Sequence, residues 1–320
     1  PGYPGADQTL WTVSTDVPEI VDATGTPTGE PDQNSSPQLY GADPVGVELQ
    51  VTMWAYAFGA SDPLGNIHFK RARLIYTGFP DDSDYLAPAT LDTVYFTQWS
   101  DPDLGTYTDD YVGCDIDLSF GYVYNGNRLD GVFNGIYNLA CPAGGYDFLQ
   151  GPVTAAGDTL GMTAFTYFGA GSSISDPDLS SYNGSLQFFN LMEGFLPRPE
   201  YPVQVPWIDP ITEEETKFAL SGDPTTGEGW IDGIDLPPGD RRLVMSSGPF
   251  RMELGDSTEI IVGLIGAQGD NAIESVRELK KDDELIQLAY DSDFNLLDYS
   301  VDVSPATDQN VFTVSLSVDV

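Results

Sequence analysis

The stretch VGVELQVTMWAYAF, residues 45–58, alternates between two kinds of side chain. Val47, Leu49, Val51 and Met53 are apolar, whereas the residues between them are polar. Successive side chains of a β-strand point to opposite faces of its sheet, so an alternation with period two indicates a strand. This stretch therefore predicts a strand with one buried face and one face toward solvent.

Seven further stretches are rich in β-branched and aromatic residues and are bounded by Gly, Pro, Asp or Asn. They cover residues 67–76, 92–99, 118–124, 162–168, 185–192, 241–247 and 258–267. Repeated short strands with turn signals between them are typical of sandwiches and barrels. The sequence therefore predicts an all-β fold, a large antiparallel β-sandwich with long acidic loops.

One segment, residues 270–291, follows a helical period instead. Its apolar stripe consists of Ala272, Ile273, Val276, Leu279, Ile286 and Tyr290. Residues spaced in this way lie on one face of an α-helix. Asn271 followed by Glu274 resembles the capping box that starts many helices. We predict one helix at about 271–290, which covers a face or an edge of a sheet.

Composition divides the chain into three parts. Residues 1–44, rich in Pro, Gly, Asp, Thr and Ser, predict an extended N-terminal arm, and residues 45–298 predict the sandwich domain. Residues 299–320 predict a C-terminal strand that either begins an Ig-like module or pairs with another sheet edge. Its predicted assembly residues are Val311, Phe312, Val314, Leu316 and Val318. We therefore expect a homo-oligomer or polymer, formed through the N-terminal arm or the C-terminal strand.

The charge of the chain excludes some partners. It has 50 acidic and 12 basic residues, a net charge of −38. Nucleic acids and anionic membrane surfaces require clustered Lys and Arg, so neither is expected as a partner. The longest apolar run, residues 260–267, is far shorter than the roughly 20 residues that span a bilayer. Small cations are the natural counterions of such a chain.

Two loops concentrate the acidic residues. SDPDLGTYTDDYVGCD, residues 100–115, holds five Asp, and SDPDLSSYNG repeats its start at residues 175–184. Because Ca²⁺ takes six to eight oxygen ligands, carboxylates gathered by turns at Pro102 and Gly105 predict calcium sites. The predicted ligands are Asp101, Asp103, Asp109, Asp110, Asp115, Asp117, Asp176 and Asp178. The alternative is ordinary turn chemistry with solvated carboxylates.

The two cysteines, Cys114 and Cys141, are candidates for a disulfide. A chain low in Lys and rich in Asp, Gly and Tyr favours an extracellular setting in which such a bridge persists. Two buried free thiols are the alternative. No Cys/His cluster with the spacing of zinc ligands occurs in the sequence.

Signals of catalysis are few. The one histidine, His68, lies in a predicted strand, and no G-x-S-x-G motif supplies a nucleophile for a triad. Paired carboxylates leave glycoside hydrolysis open. The aromatic residues considered for stacking on sugars are Trp54, Trp99, Trp207, Trp230, Tyr122 and Tyr124. We expect a non-enzymatic protein, with a carbohydrate-binding or glycan-hydrolysing secreted protein as the alternative.

Several phrases, in their order, resemble a region of large bacterial secreted and surface proteins. They include NIHFKRARLIYTG, WSDPDLGTYTDDYVGCDIDLSFGYVYNGN, GYDFLQGP, LGMTAFTYF, LSGDPTTGEGWIDG and GDRRLVMSSGPFRMELGDSTEIIVGLIGAQG. Those proteins commonly carry a type IX secretion C-terminal sorting domain and Ig-like or fibronectin type III modules. The resemblance covers about residues 40–298 and implies export to the exterior or the cell surface, but no activity. We therefore expect an extracellular structural or adhesive surface protein, stabilised by calcium and assembling into a fibre or surface layer.

Overall fold

The computed structural model of the chain describes residues 3–16, 44–59, 61–79, 86–154, 157–292, 294, 299–305 and 312–318. The strands are β1 (Gln8–Thr15), β2 (Val47–Ala55), β3 (Ile67–Tyr76), β4 (Thr90–Ser100), β5 (Asp110–Asp115), β6 (Phe120–Asn125), β7 (Ala143–Gln150), β8 (Ala164–Gly169), β9 (Trp207–Ile208), β10 (Glu215–Thr216), β11 (Arg241–Glu253), β12 (Ser257–Ala267), β13 (Tyr299–Pro305) and β14 (Phe312–Val318). The helices are α1 (Tyr182–Met192) and α2 (Ala272–Asp291). All pairs between these strands are antiparallel, which confirms the predicted all-β class.

Two sheets form the sandwich. The larger sheet has seven strands in the order β1-β2-β3-β12-β7-β6-β5, and the smaller has three in the order β4-β11-β8. The remaining strands form two-stranded sheets, β9 with β10 and β13 with β14. Strand β11 is therefore central in the smaller sheet, with β4 on one side and β8 on the other.

The first core lies between the two sheets. Phe165 of β8 and Met245 of β11 point from the smaller sheet toward Gly121 of β6. A Cβ atom at Gly121 would lie 2.8 Å from the Phe165 ring and 3.3 Å from the Met245 sulfur. Val123 and Val262 complete the contact from the larger sheet. The glycine thus lets the two sheets approach closely enough to bury their inner faces.

Helix α2 covers the opposite face of the larger sheet, as predicted. The Asn271 side chain accepts the backbone N–H of Glu274 at 3.1 Å and caps the first turn. Val276 and Leu279 are fully buried and belong to the same cluster as Phe120 of β6. Within the described ranges, no helix combines the length and apolar character that a membrane crossing requires.

Helix α1 corrects one prediction, since residues 185–192 were predicted to form a strand. Ser181 caps this helix with a side chain that accepts a backbone N–H of the first turn. Phe188 and Leu191 lie on one face of the helix and are buried. The Phe188 ring lies 5.9 Å from that of Phe168, which points away from the larger sheet. The layers therefore follow the order α1, smaller sheet, larger sheet, α2.

The predicted N-terminal arm contains a strand of the larger sheet. Strand β1 pairs with β2 over its whole length, from Gln8 opposite Ala55 to Thr15 opposite Glu48. The sheet therefore begins well before the predicted domain boundary at residue 45. Residues 17–43 of the predicted arm lie outside the described residues.

The predicted C-terminal strand has a partner in its own chain. Strand β14 pairs with β13, with Phe312 opposite Pro305 and Val318 opposite Tyr299. Val311 lies outside the described residues, as do the side chains of the other four predicted assembly residues. A role of this strand in assembly therefore stays a prediction.

The predicted disulfide between Cys114 and Cys141 is wrong. The two thiols are free and buried, as in the alternative interpretation. The Cys114 sulfur lies 3.6 Å from the carbonyl oxygen of Ala219, whereas the Cys141 sulfur lies 3.4 Å from the side-chain oxygen of Asn134. Burial raises the pKa of both thiols. The thiolate that exchange or metal binding requires is therefore disfavoured.

Candidate functional site

The two acidic loops meet beside the start of β11. The guanidinium of Arg242, the second residue of β11, lies 3.1 Å from Asp101, 3.5 Å from Asp176 and 2.5 Å from Asp240. Asp101 follows the end of β4, and Asp176 follows β8. Because β11 lies between β4 and β8, its start is next to both loops. The two copies of the phrase S-D-P-D-L therefore contact the same arginine.

Three carboxylates of this region form what we call the acidic cluster, namely Asp101, Asp103 and Asp240. One oxygen of each lies within 4.8 Å of one oxygen of each of the others. Arg242 contributes one positive charge against these three and Asp176, which leaves three negative charges in excess. The sequence predicted Asp101 and Asp103 but missed Asp240. The sequence signal that could have pointed to Asp240 is the phrase GDRR, residues 239–242, in which this aspartate directly precedes the predicted strand 241–247.

Asp110 is close enough to Asp103 of the acidic cluster to interact with it electrostatically, and it is only 1% exposed. Its Oδ2 accepts the backbone N–H of Leu104 at 3.0 Å, and its carbonyl oxygen accepts the N–H of Gly239 at 3.1 Å. Leu104 follows Asp103 and Gly239 precedes Asp240, so Asp110 is hydrogen-bonded to the neighbours of two cluster residues. Its Oδ1 is buried and finds no hydrogen-bond partner within the described part of the chain. Such an oxygen is costly to bury unless a donor or a cation satisfies it.

The charge state of Asp110 reflects the same surroundings. Burial raises its pKa to about 8, and the negative charges of Asp109, Asp103 and Asp130 add to this effect. The hydrogen bond from Leu104 opposes it. The carboxyl thus lies among like charges, which is the condition under which a bound divalent cation stabilises a site most.

Two further aspartates fix the loop without joining the acidic cluster. Asp109 accepts the side-chain amides of Asn125 at 2.8 Å and Asn127 at 2.9 Å. Asp130 accepts the backbone N–H of Thr106 at 2.8 Å, and its other oxygen would lie 2.7 Å from a Cβ atom at Gly105. The positive φ of Gly105, 70°, also favours glycine at this turn. These bonds hold the loop against the β6–β7 connection.

The other predicted ligands lie elsewhere. Asp115 is paired with Lys280 of α2 at 2.8 Å, on the other face of the larger sheet. Asp117 is exposed at the turn after β5. Asp178 accepts the backbone N–H of Ser180 at 2.9 Å and closes a local turn. Of the predicted set, the structure therefore brings Asp101 and Asp103 together in the acidic cluster, with Asp110 and Asp176 nearby. Asp115, Asp117 and Asp178 are not part of the cluster.

A buried ion pair holds β11 in place next to the acidic cluster. The Arg241 Nε donates to Asp232 Oδ2 at 2.9 Å, and the side chains are 3% and 1% exposed. The same Asp232 oxygen accepts the backbone N–H of Val112 at 3.0 Å. The pair thus connects β11 to β5, the strand that carries Asp110. Removing either Arg241 or Asp232 would leave the other as an uncompensated buried charge.

A second acidic group lies under α2 and was not predicted. Asp147 of β7 and Asp283 of α2 are each 1% exposed and interact with each other. Apart from Asp283, the carboxyl of Asp147 has no hydrogen-bond partner within the described ranges. Burial raises the pKa of Asp147 well above its usual range, and burial raises that of Asp283 to about 8. Burial therefore favours the protonated form of both carboxyls.

The aromatic residues considered for sugar binding are mostly in the core. The rings of Trp54, Trp207 and Trp230 are at most 4% exposed, as are those of Tyr122 and Tyr124. Buried rings are not available for stacking on a glycan. Trp99 is 42% exposed and packs edge-on against Phe188 of α1.

An open cleft of about 1150 Å³ lies between the start of α2 and the ends of β3 and β12. Its lining includes His68, Leu264 and Lys281. His68 is exposed and faces solvent from β3. The acidic cluster is not part of this lining.

Two comparisons with known proteins give no match for the chain. No family model matches it, and a search of curated proteins found no match either. The resemblance to secreted bacterial proteins therefore stays a prediction.

Proposed function

We propose that the chain is an extracellular structural or adhesive module of a bacterial surface protein, stabilised by Ca²⁺ at the acidic cluster. The observation that carries the proposal is the approach of the Asp101, Asp103 and Asp240 carboxylates to within 4.8 Å of one another. The buried, unpartnered Oδ1 of Asp110, which interacts electrostatically with Asp103, supports it. Oxygen atoms in this arrangement are the ligands that Ca²⁺ prefers. Arg242 alone does not balance the carboxylates around it.

The surroundings favour Ca²⁺ over Mg²⁺. Asp101 and Asp103 are exposed and belong to a loop, so water would complete the coordination shell. Ca²⁺ accepts irregular shells of carboxylate, carbonyl and water oxygens, whereas Mg²⁺ demands near-ideal octahedral geometry. Partly exposed sites of this kind are typical of extracellular modules with millimolar or submillimolar affinity. The resemblance to secreted proteins supports the same location.

A bound ion would act on structure rather than on chemistry. It would connect the loop after β4, which holds Asp101 and Asp103, to Asp240 at the start of β11. Arg242 extends this connection to Asp176 in the loop after β8. The ion would therefore fasten the three strands of the smaller sheet at one end, which is a role that an adhesive or load-bearing module requires.

The test is thermal unfolding of the chelator-treated protein, with Ca²⁺ or Mg²⁺ added back. An ion present at 100 times its Kd adds about 2.7 kcal/mol to the free energy of unfolding. We expect Ca²⁺ to raise the Tm by several degrees and Mg²⁺ to have a smaller effect. Asp103→Asn should abolish the rise, because Asp103 belongs to the cluster but has no ion pair with Arg242 that the change would break.

The matched control is Asp117→Asn, an exposed aspartate outside the acidic cluster. It should keep the full response to Ca²⁺. A Tm that ignores Ca²⁺ in the unmodified protein would remove the proposal. Equal responses of the two variants would remove the assignment of the site.

A further inference from the structure

Strand β1 is an edge of the larger sheet whose side chains are all exposed. Leu10 is 71% exposed, Trp11 44% and Val13 45%. Strand β2 pairs with it on one side, and no described strand pairs with it on the other. An exposed apolar edge strand offers backbone groups to any strand that can approach it.

The edge lacks the features that protect edge strands. In a chain with 50 acidic residues, Gln8–Thr15 contains neither a charged residue nor a proline. The edge strand β4 of the smaller sheet differs, since it carries Asp92 and its register with β11 is interrupted by irregularities. Charges, prolines and bulges are the usual means by which proteins block pairing at an edge. The absence of charges, prolines and bulges from β1 indicates an edge that can pair with another strand.

Both ends of β1 are fixed to the chain around β2. Asp7 accepts the backbone N–H of Ala57 at 2.7 Å. Asp16 accepts the N–H groups of Val45 at 2.7 Å and Val47 at 2.8 Å. The strand is thus held extended although its own side chains bury little surface. Because β1 is already extended, pairing with a partner would cost little conformational entropy on this side of the contact.

The hydrogen-bond phase of β1 determines which groups face outward. The backbone N–H of Asp16 donates to the carbonyl oxygen of Val47, its partner in the continued register. Because hydrogen-bonded pairs alternate along an antiparallel ladder, even-numbered residues bond to β2. The N–H and C=O groups of Thr9, Trp11 and Val13 therefore point away from the sheet.

We propose that a second copy of this chain pairs with β1 in antiparallel fashion, so that the two larger sheets become continuous across a two-fold axis. Outward-facing residues must meet outward-facing residues, so a whole residue must lie on the axis. We place Thr12, near the middle of Gln8–Thr15, on the axis, which brings Trp11 opposite Val13 of the second copy. Aromatic and β-branched residues are favourable cross-strand partners. A symmetric contact of this kind uses one patch on both copies.

The lack of charge on β1 favours an equally uncharged edge as its partner, and a second copy supplies one. Two chains of net charge −38 repel each other, so they can approach only through an uncharged surface, and β1 supplies one on each copy. The hydrogen-bond phase also excludes the register in which Asp7 would face Asp16. The register proposed places Asp16 opposite Gln8 instead. A cationic partner would find no carboxylate within Gln8–Thr15 to recognise.

The oligomeric state in solution tests the pairing, and sedimentation velocity measures it on the whole chain. We expect a dimer for the unmodified protein, tighter in high salt because salt screens the repulsion between copies. Thr12→Glu would place two carboxylates opposite each other on the axis and should weaken dimerisation by roughly tenfold or more. Thr12→Gln, of nearly the same shape and without charge, should remain dimeric. A monomer at every concentration and salt level would overturn the proposal.

Cysteine cross-linking tests the register. At the axis, the Cα atoms of a non-hydrogen-bonded pair are about 4.5 Å apart, within the range of a disulfide. Thr12→Cys should therefore give a covalent dimer after mild oxidation, whereas Gln8→Cys at the strand end should not. Equal cross-linking of both variants would overturn the register. The proposal does not depend on Ca²⁺, so a chelator should leave the dimer intact even where it lowers the Tm.

Discussion

Replacing Asp283 by Asn should change how the stability of the protein depends on pH. Asp283 lies on the buried face of α2 against Asp147, and burial raises its pKa from 3.8 to about 8. A carboxyl whose pKa is raised on folding holds its proton more tightly in the folded chain than in the unfolded chain. Its contribution to stability is therefore full below pH 3.8 and is lost as the pH rises toward 8.

The size of the effect follows from the shift. At pH 7 the folded carboxyl is mostly protonated, while the unfolded one has been ionised since about pH 4. One pKa unit corresponds to about 1.4 kcal/mol, so the free energy of unfolding falls by about 4 kcal/mol between pH 4 and pH 7. An asparagine does not titrate and presents a donor to the Asp147 carboxyl. Asp283→Asn should therefore be less dependent on pH and more stable than the unmodified protein at pH 7 to 8.

Urea denaturation at a series of pH values from 5 to 8 measures the difference. The control is Glu284→Gln, which removes the same charge from the next residue of α2, an exposed position. The control should keep the pH dependence of the unmodified protein. If Asp283→Asn gives a curve parallel to that of the unmodified protein, then Asp283 is ionised in the folded state and the argument from burial fails.

Two further predictions concern packing and the thiols. A Cβ atom at Gly145 would lie 2.2 Å from the Phe120 ring, so Gly145→Ala should lower the free energy of unfolding by about 1–3 kcal/mol. The control is Gly144→Ala, which should cost little because the atom nearest to a Cβ there is 3.7 Å away. Urea denaturation of the two variants measures the difference. Both Cys114 and Cys141 should react with a thiol reagent in denaturant without reductant and react slowly in the native protein; a chain that shows no free thiol after unfolding would restore the disulfide.

The strands were predictable where side chains alternate. Residues 67–76 and 258–267 were predicted as strands and form β3 and β12 almost to the residue. Helix α2 was predictable because Asn271 and its apolar stripe are local signals. These elements are specified by residues close together in sequence, so a single sequence is enough to find them.

Other elements depend on contacts between distant residues. Residues 185–192 have the aromatic content of a strand, and the spacing of Phe188 and Leu191 after the cap Ser181 was the only helical signal. Strand β7 begins Ala-Gly-Gly, which reads as a turn. A side chain at Gly145 would collide with the Phe120 ring of the neighbouring strand. This steric requirement for glycine becomes visible only once the strands are paired.

The candidate site was half predictable for the same reason. The repeated phrase S-D-P-D-L pointed to Asp101 and Asp103, but nothing local connects them to Arg242 or Asp240. The pair of Asp147 and Asp283 was invisible because the two residues meet only when α2 packs on the sheet. Sequence spacing thus located the carboxylates, and topology selected which of them share a site.

The crowding of carboxylates around a few basic groups makes the tolerance of this chain to mutation unequal. Arg242 touches three carboxylates, and Lys280 touches two, Asp115 and Asp223. When one of these anions is lost by mutation, its cation keeps other partners. When the cation is lost, several anions are stranded together. Substitutions should therefore be tolerated better at partly exposed carboxylates that share a cation, such as Asp176 or Asp223, than at Arg242 or Lys280.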